Sequence, residues 1–485
     1  MKIRASATLR AFFGRRDVLE IDGDTVESAL TALFDEYPEA KKVAFDDEGN
    51  LRDFIRVYAN GEDKTARDQW SAPLSDDSEI LLLPSISGGA PFESVVSNER
   101  AKAVALDDAE IERFTNHLTL REISVRGQKK IKAARVAVVG AGALGSAVIR
   151  SLAAAGVGTI KAIDFDSVEP RNLQTQTLHG LRDINRPKVA SARDSVRNIS
   201  KSIAFEAENS AVTADNAISL LKGFDLVLDC SDNYKARYLI NDACFFCGIP
   251  VVFGAMFQCE GRVGVFNYNG GACYRCLFPS PPPPGLVPTC SENGVISPLP
   301  GIIGSIQANE AIKLIVGIGE PLVDKTLVFD VLNLRTTLLE VAKDDKCPLC
   351  GRNRTIATVE DFDYDDFCGL KVDETEEPID EMEPEELAKR IENGDPITIV
   401  DVREPHERAI LRFPKTVVIP IGQLARRQKE LDPKLDTVFV CKEGKRSAFA
   451  VRTLREAGYA GRTYTLKGGI DATRDIIFSR EGGWL

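Results

Sequence analysis

The feature that most constrains this chain is a glycine turn set between an apolar strand and a helix. Arg135–Val139 reads RVAVV, a buried strand. Gly140-Ala-Gly142-Ala-Leu-Gly145 follows it and opens a helix running to about Ala155, and a second apolar strand follows at Thr159–Ile163. Strand, helix and parallel strand make a βαβ unit, and a third apolar strand, Leu226–Asp229, extends the parallel sheet. The glycines allow a tight turn and a close backbone approach, and the helix N-terminus favours an anionic phosphate. Asp164 falls 19 residues after Gly145, at the end of the second strand, where a ribose hydroxyl would be held. On this motif alone, a nicotinamide-dependent dehydrogenase is the better-known reading.

At 485 residues the chain exceeds one ordinary core and reads as about three domains. Residues 1–89 combine an alternating strand at 2–9, a helix over 25–37 capped by Asp24, and strands at 54–58 and 79–83 around Asn60-Gly61, a small α+β pattern. The middle domain spans 90–370, with Pro279 to Pro284 as a loop. Residues 371–385 are acidic and proline-punctuated and read as a linker. A third α/β domain fills 386–485, with strands at 397–400, 437–440 and 463–466 and a helix over 447–457. The overall class is multidomain α/β.

The net charge of −12 argues against a nucleic-acid-binding surface, since phosphate contacts need a basic footprint. No apolar run reaches the roughly 18 residues a membrane span needs, and the amino terminus lacks the apolar core of a secretory signal. The expectation is a cytoplasmic protein. Its eleven cysteines are then reduced thiols for metal and sulfur chemistry, not a disulfide framework.

The hairpin IRVYANGED and the tail EILLLPSISGG give residues 1–89 a resemblance to the β-grasp sulfur carriers of the MoaD/ThiS/CysO type. The resemblance implies that Gly88 and Gly89 are the reactive end of a carrier. Glycines suit this, since a chain without β-carbons threads a narrow channel. Here Ala90 follows Gly89, so a free carboxylate requires cleavage after Gly89, or else a separate carrier is the substrate.

Further motifs follow the glycine turn: Asp164-Phe-Asp166-Ser-Val168, Asn172-Leu-Gln174-Thr-Gln176, Arg186-Pro-Lys188, Asp229-Cys-Ser-Asp232-Asn233 and Glu260-Gly-Arg262. Across roughly residues 110–345 this series resembles the adenylation domain of MoeB, ThiF and the ubiquitin-activating enzymes. The stretches PPPPGLVPTCSENGV and DYDDFCG resemble the MoeZ branch. The resemblance implies ATP and magnesium, with a carrier's C-terminal glycine carboxylate attacking the α-phosphate. It assigns Gly140, Gly142, Gly145, Asp164, Asp166, Asn172, Gln176, Lys188, Asp232 and Asn233 to the nucleotide. Lys188 would neutralise phosphate charge, Asp232 hold magnesium, Asn172 position the triphosphate and Asp164 the ribose. Cations and magnesium are what a phosphorus centre gathering negative charge requires. The chain departs from the family at Thr175 and Asn116, where arginines are usual, and arginine's bidentate fork is not easily replaced. The resemblance also implies a homodimer.

Cys273-Tyr-Arg-Cys276 and Cys347-Pro-Leu-Cys350 supply four thiolates, a donor set for tetrahedral zinc, and the family places a structural zinc there. Redox pairs are the competing reading. Cys290 corresponds to a family cysteine linked to acyl or persulfide transfer, with an inert buried cysteine as its alternative.

Cys441-Lys-Glu-Gly-Lys-Arg446-Ser447 lies between a strand and a helix. It resembles a rhodanese loop, with Asp401-Val-Arg403-Glu and Lys467-Gly-Gly469 as supporting motifs. Backbone N–H groups, Lys442, Lys445 and Arg446 would favour a thiolate at Cys441 that carries a persulfide. Tyrosine phosphatases and arsenate reductases use similar loops, so an oxyanion cradle is the alternative. The combined expectation is carrier adenylation followed by sulfur transfer to a thiocarboxylate. The sulfur donor would be thiosulfate or a cysteine desulfurase persulfide, and the carrier residues 1–89 after cleavage or a separate protein. Thioester-based protein conjugation and a non-catalytic scaffold remain the alternatives.

Overall fold

Short-range patterning builds each element of the computed structural model, which describes all residues except 6–12, 14–17, 47–48, 50, 53–54, 76, 85–92, 283–293, 369–378, 474–475 and 477–485. Gly88, Gly89 and Cys290 therefore lie outside the described residues. The contacts divide the chain into two units, one of 1–130 with 313–321 and one of 131–312 with 322–485.

In the first unit, Lys2–Ala5 pairs antiparallel with Val18–Glu20 and parallel with Glu79–Pro84, which in turn pairs antiparallel with Ile55–Ala59. The outer pair of this five-stranded sheet is the hairpin from Ile55–Ala59 to Glu62–Asp63. Asn60 and Gly61 both take positive φ there, at 51° and 84°, as a type I′ turn demands. The helix Val26–Glu36 buries Val26, Ala29, Leu30, Leu33 and Phe34, the stripe expected from its 3.6-residue period. Its cap differs from expectation. Thr25, not Asp24, accepts the Ser28 N–H at 3.1 Å, and Asp24 instead accepts from the Ser28 hydroxyl. Both residues are good caps, so sequence alone does not separate them. Residues 93–130 also fall in this unit rather than with the middle segment. They pack on the end of the helix Leu299–Val316, with Val95 N–H donating to Leu314 O and Lys130 Nζ to Val316 O at 2.8 Å.

The second unit holds two sheets. The larger runs 335–340, 325–330, 260–266, 251–257, 226–229, 135–139, 159–163, 204–208. Its last five strands are parallel and its first three antiparallel. Arg135–Val139 lies centrally, with Thr159–Ile163 on one side and Leu226–Asp229 on the other. This is a switch point, where the crevice at the strands' carboxyl ends admits a ligand.

The smaller sheet is wholly parallel, in the order 381–382, 463–466, 436–440, 397–401, 416–418. It corrects the linker boundary. Glu381–Met382 is already a strand on Thr463–Leu466, and Pro384 opens the helix Pro384–Asn393. Met382 is buried, so one apolar side chain anchors an otherwise acidic stretch that reads as solvated. No helix among the described residues is long and apolar enough to cross a membrane.

Candidate functional site: nucleotide cleft, cysteine cluster and sulfur loop

The glycine turn is sterically compulsory. A β-carbon on Gly140 would lie 2.5 Å from Cys230 O, and one on Gly145 1.9 Å from Gly140 O, while Gly140 itself has φ of 98°. The Asp164 carboxylate fastens the turn, accepting from Ala141 N–H at 2.7 Å and Asp166 N–H at 2.8 Å. Burial raises the Asp164 pKa, against the opposing charge of Lys188 and these two N–H bonds. Lys188 is itself buried, with Nζ 2.8 Å from Asp166 Oδ2. It opens the helix Lys188–Ile199.

The remaining predicted nucleotide residues divide by role. Gln176 is buried, and its Oε1 has no partner among the described residues. A β-carbon on Gly142 would lie 3.8 Å from Gln176 Nε2. Asn172 accepts from Glu169 N–H at 2.9 Å. Asp232 is exposed just beyond the strand Leu226–Asp229. Asn233 has a structural duty that the motif does not announce: its side chain caps the helix Tyr234–Cys247 by accepting from Ala236 N–H at 2.9 Å. Arg186 is engaged by Asp183 and Asp194.

Four residues that sequence reasoning passed over shape this cleft and its surroundings. His179 is buried between Ser191 and the glycine turn. Gln307 donates to Asp229 O at 2.9 Å and Val252 O at 3.2 Å, tying neighbouring strands at the cleft floor. A β-carbon on Gly254 would lie 2.2 Å from the Gln307 side chain. Arg275 and Asp242 form a fully buried ion pair, Nη2 to Oδ2 2.7 Å, and Tyr364 donates to the same carboxylate oxygen at 2.8 Å. The guanidinium also sits over Tyr238, Phe362 and Phe367, 4.5–4.9 Å from the ring centroids. That contact explains why DYDDFCG carries its aromatic residues.

Arg275 lies inside the first cysteine knuckle. The sulfurs of Cys273 and Cys347 are 3.5 Å apart, those of Cys276 and Cys350 3.3 Å, and those of Cys273 and Cys276 3.8 Å. All four lie within 4.8 Å of one another. A tetrahedral ion with metal–sulfur bonds of about 2.3 Å needs sulfurs about 3.8 Å apart. The set therefore fits a single tetrahedral metal. Asp344 N–H donates to Cys276 Sγ at 3.4 Å, the outer-shell bond a metal thiolate takes.

In the smaller sheet, Cys441 follows the strand Asp436–Val440 and precedes the helix Lys445–Glu456. Its sulfur accepts from Gly444 N–H at 3.1 Å and Ser447 N–H at 3.4 Å. Gly444 has φ of 94° and turns the loop inward. Gly469 lets a second turn close over it, since a β-carbon there would lie 2.4 Å from Lys442 O. Asp401 holds Arg403 bidentately at 2.9 and 2.8 Å, which accounts for the Asp-Val-Arg motif. Arg446 departs from expectation. It is buried and clamped by both oxygens of Glu407, each at 2.7 Å. Both terminal nitrogens of its fork are thus bonded to Glu407.

Family models match in the same order as the structural segments: the ThiS family over residues 3–89, the ThiF family over 114–349 and a rhodanese-like domain over 383–475. The probable adenylyltransferase/sulfurtransferase MoeZ of Mycobacterium tuberculosis is 38% identical, over 76% of this chain and 94% of its own. The chain belongs to the MoeZ/MOCS3 family. The adenylyltransferase and sulfurtransferase MOCS3 of Arabidopsis thaliana is 35% identical, over 84% of this chain and 89% of its own. A sulfur carrier protein adenylyltransferase of Thermus thermophilus is 42% identical over 54% of this chain, covering 98% of its own. Membership in the MoeZ/MOCS3 family displaces the dehydrogenase reading of the glycine turn and the phosphatase reading of the Cys441 loop.

The Glu407–Arg446 brace gives this family member a testable pH response. Burial raises the Glu407 pKa, but the Arg446 hydrogen bonds, the Glu404 N–H and the charges of Arg446 and Arg403 outweigh it, and the net shift is downward. A carboxylate with a depressed folded pKa stabilises the fold above its unfolded value, about 4.3. That contribution is lost as pH falls through the lower, folded value. Glu407→Gln should destabilise this domain by about 3 kcal/mol at neutral pH, because it strands a buried guanidinium, and should flatten stability below pH about 4.5. Denaturant melts of both forms across acid pH check this; parallel curves would contradict it.

Proposed function

We propose that the chain uses ATP to adenylate the C-terminal glycine carboxylate of a ubiquitin-like sulfur carrier and then replaces AMP with sulfur delivered by Cys441. The carrier carboxylate attacks the α-phosphorus and pyrophosphate leaves. The terminal sulfur of the Cys441 persulfide attacks the acyl carbonyl and AMP leaves, giving an acyl disulfide. A thiol reductant then cleaves the sulfur–sulfur bond, freeing the thiocarboxylate and restoring the Cys441 thiol. Lys188 neutralises phosphate charge, Asn172 and Gln176 position the nucleotide, Asp164 orients the glycine turn, and Asp232 is the residue suited to hold magnesium. Zinc is the metal that suits four thiolates at the spacing of Cys273, Cys276, Cys347 and Cys350.

The observation that carries this reading is the Cys441 loop. Its sulfur receives two N–H groups while Arg446, the side chain an oxyanion cradle would use, is consumed by Glu407. The loop also neighbours the nucleotide motif electrostatically. Arg171, beside Asn172, is held above its usual pKa by its hydrogen bond to Glu169, against burial, and by the charges of Glu169, Glu443 and Asp471. Glu443 lies within the sulfur loop, and Asp471 N–H donates to Lys442 O.

The ThiS match ends at Gly89, which supports residues 1–89, released by cleavage before Ala90, as a carrier substrate. A separate carrier with the same di-glycine end is the other source. ATP–pyrophosphate exchange by the full chain, supplied with a carrier ending at Gly89, tests the first half-reaction. Lys188→Ala should lower exchange by on the order of 10²-fold, the cost of losing one group that stabilises transition-state charge. Exchange that ignores the carrier, or ignores Lys188, would overturn the proposal.

A further inference from the structure

His179 lies outside every role assigned so far, yet it touches both halves of the nucleotide cleft. Its Nε2 is 3.0 Å from Ala141 O, in the glycine turn, and its Nδ1 is 2.9 Å from Ser191 Oγ. Ser191 is in the first turn of the helix Lys188–Ile199, so one imidazole spans from the glycine turn to the helix that Lys188 opens. Both His179 and Ser191 are buried, at 7% and 1% exposure.

A carbonyl oxygen only accepts hydrogen bonds, so Nε2 carries the proton. Nδ1 of the neutral ring then accepts from the Ser191 hydroxyl. Burial and the positive charge of Lys188 oppose a second proton, while the Ala141 carbonyl, Asp183 and Asp164 favour it; the net shift is downward. The tautomer is thereby fixed by its partners.

The consequence reaches the ligand side of the turn. Asp164 Oδ2 takes the Ala141 N–H, and His179 takes the Ala141 C=O, so the peptides on both sides of Ala141 are oriented. In a planar trans peptide, C=O and N–H point in opposite directions. Fixing the Ala141 carbonyl on His179 therefore turns the Gly142 N–H away from the ring, at the N-terminus of the helix Ala143–Ala155. An N–H held so at a helix start is a phosphate donor.

We infer that His179 is a positioning residue for nucleotide binding: its Nε2–H fixes the Ala141–Gly142 peptide so that Gly142 N–H meets a phosphate oxygen, and its Nδ1 locks that turn to the Lys188 helix. The inference rests on the adenylation reading of the cleft. It assigns no proton transfer to the imidazole.

Equilibrium binding of magnesium–ATP to the full chain is the test, with thermal melting of the nucleotide-free protein measured alongside. His179→Phe keeps the ring volume without the donor and should weaken ATP binding at least about 10-fold, the factor corresponding to one hydrogen bond to a charged group. His179→Gln, whose amide nitrogen reaches as far as Nε2, should restore binding to within about 3-fold of the native protein. Ser191→Ala leaves the Ala141 bond and should fall between them, which keeps the inference testable if His179→Phe does not fold. A merely structural role predicts lowered melting temperatures in all three variants with unchanged ATP affinity, and that result would overturn the inference. So would equal affinities for His179→Phe and His179→Gln. Native protein that does not bind ATP would instead remove the adenylation reading, whereas native binding lost in Lys188→Ala but kept in His179→Phe removes this inference alone.

Discussion

Cys441→Ala should abolish thiocarboxylate formation, by on the order of 10³-fold or more, while leaving carrier-dependent ATP–pyrophosphate exchange within about 2-fold of the native rate. The asymmetry follows from the structure. Cys441 follows a strand of the smaller sheet, whereas the glycine turn follows a strand of the larger one and Lys188 opens a helix packed on it. The sulfur receives the Gly444 and Ser447 N–H groups, and alanine keeps the buried β-carbon while removing that one acceptor atom. The substitution also separates the proposed route from protein conjugation through a thioester. Conjugation needs no persulfide and would survive in Cys441→Ala. Mass analysis of the carrier product reads the difference directly, because a thiocarboxylate differs from a carboxylate by the exchange of oxygen for sulfur. A thiocarboxylate formed at an undiminished rate by the alanine variant would sink the sulfur-loop assignment.

Removing the zinc proposed for the four-cysteine cluster, by chelation or by Cys347→Ser, should be equally large in its effect on stability. Structural zinc in small domains contributes about 10–16 kcal/mol of apparent binding energy, comparable to a whole domain's stability of about 5–15 kcal/mol. The loops bearing Cys273 and Cys347 are separated by 74 residues, and a metal would join them through four bonds at one point. The same loops position the buried Arg275–Asp242 pair and its aromatic cage. A drop in melting temperature of at least 10 °C is expected, since each kcal/mol moves a domain of this size by about 2–4 °C. Elemental analysis of reduced protein should find one zinc per chain in the native form and none in Cys347→Ser. Native protein free of metal, or a serine variant that melts with it, would refute the assignment.

Much of the architecture was readable residue by residue. Arg135–Val139, Thr159–Ile163 and Leu226–Asp229 occur where apolar runs predicted them, and Asn60-Gly61 makes the turn its φ angles require. Misreadings arose where local signals were nearly balanced or sparse. Asp24 and Thr25 compete as caps of similar strength. Glu381–Met382 is too short to alternate visibly, and only its pairing with Thr463–Leu466 makes it a strand.

The cleft was legible in its glycines and charged motifs but not in what braces them. Arg446 reads as an anion-binding side chain until Glu407, 39 positions away, is found against it. His179 reads as one unremarked residue until the Ala141 carbonyl, 38 positions away, is found accepting its hydrogen bond.

The sequence by itself determined the order of domains, the glycine turn, the cysteine knuckles and the sulfur loop, because these follow from backbone sterics and side-chain chemistry within a few residues. The tertiary structure alone decided that Glu407 neutralises Arg446, that Arg275 is caged by three rings, and that His179 orients the glycine turn. Those pairings depend on which strands become neighbours in a sheet. That choice is made by burial of whole faces across the chain, and no local spacing encodes it.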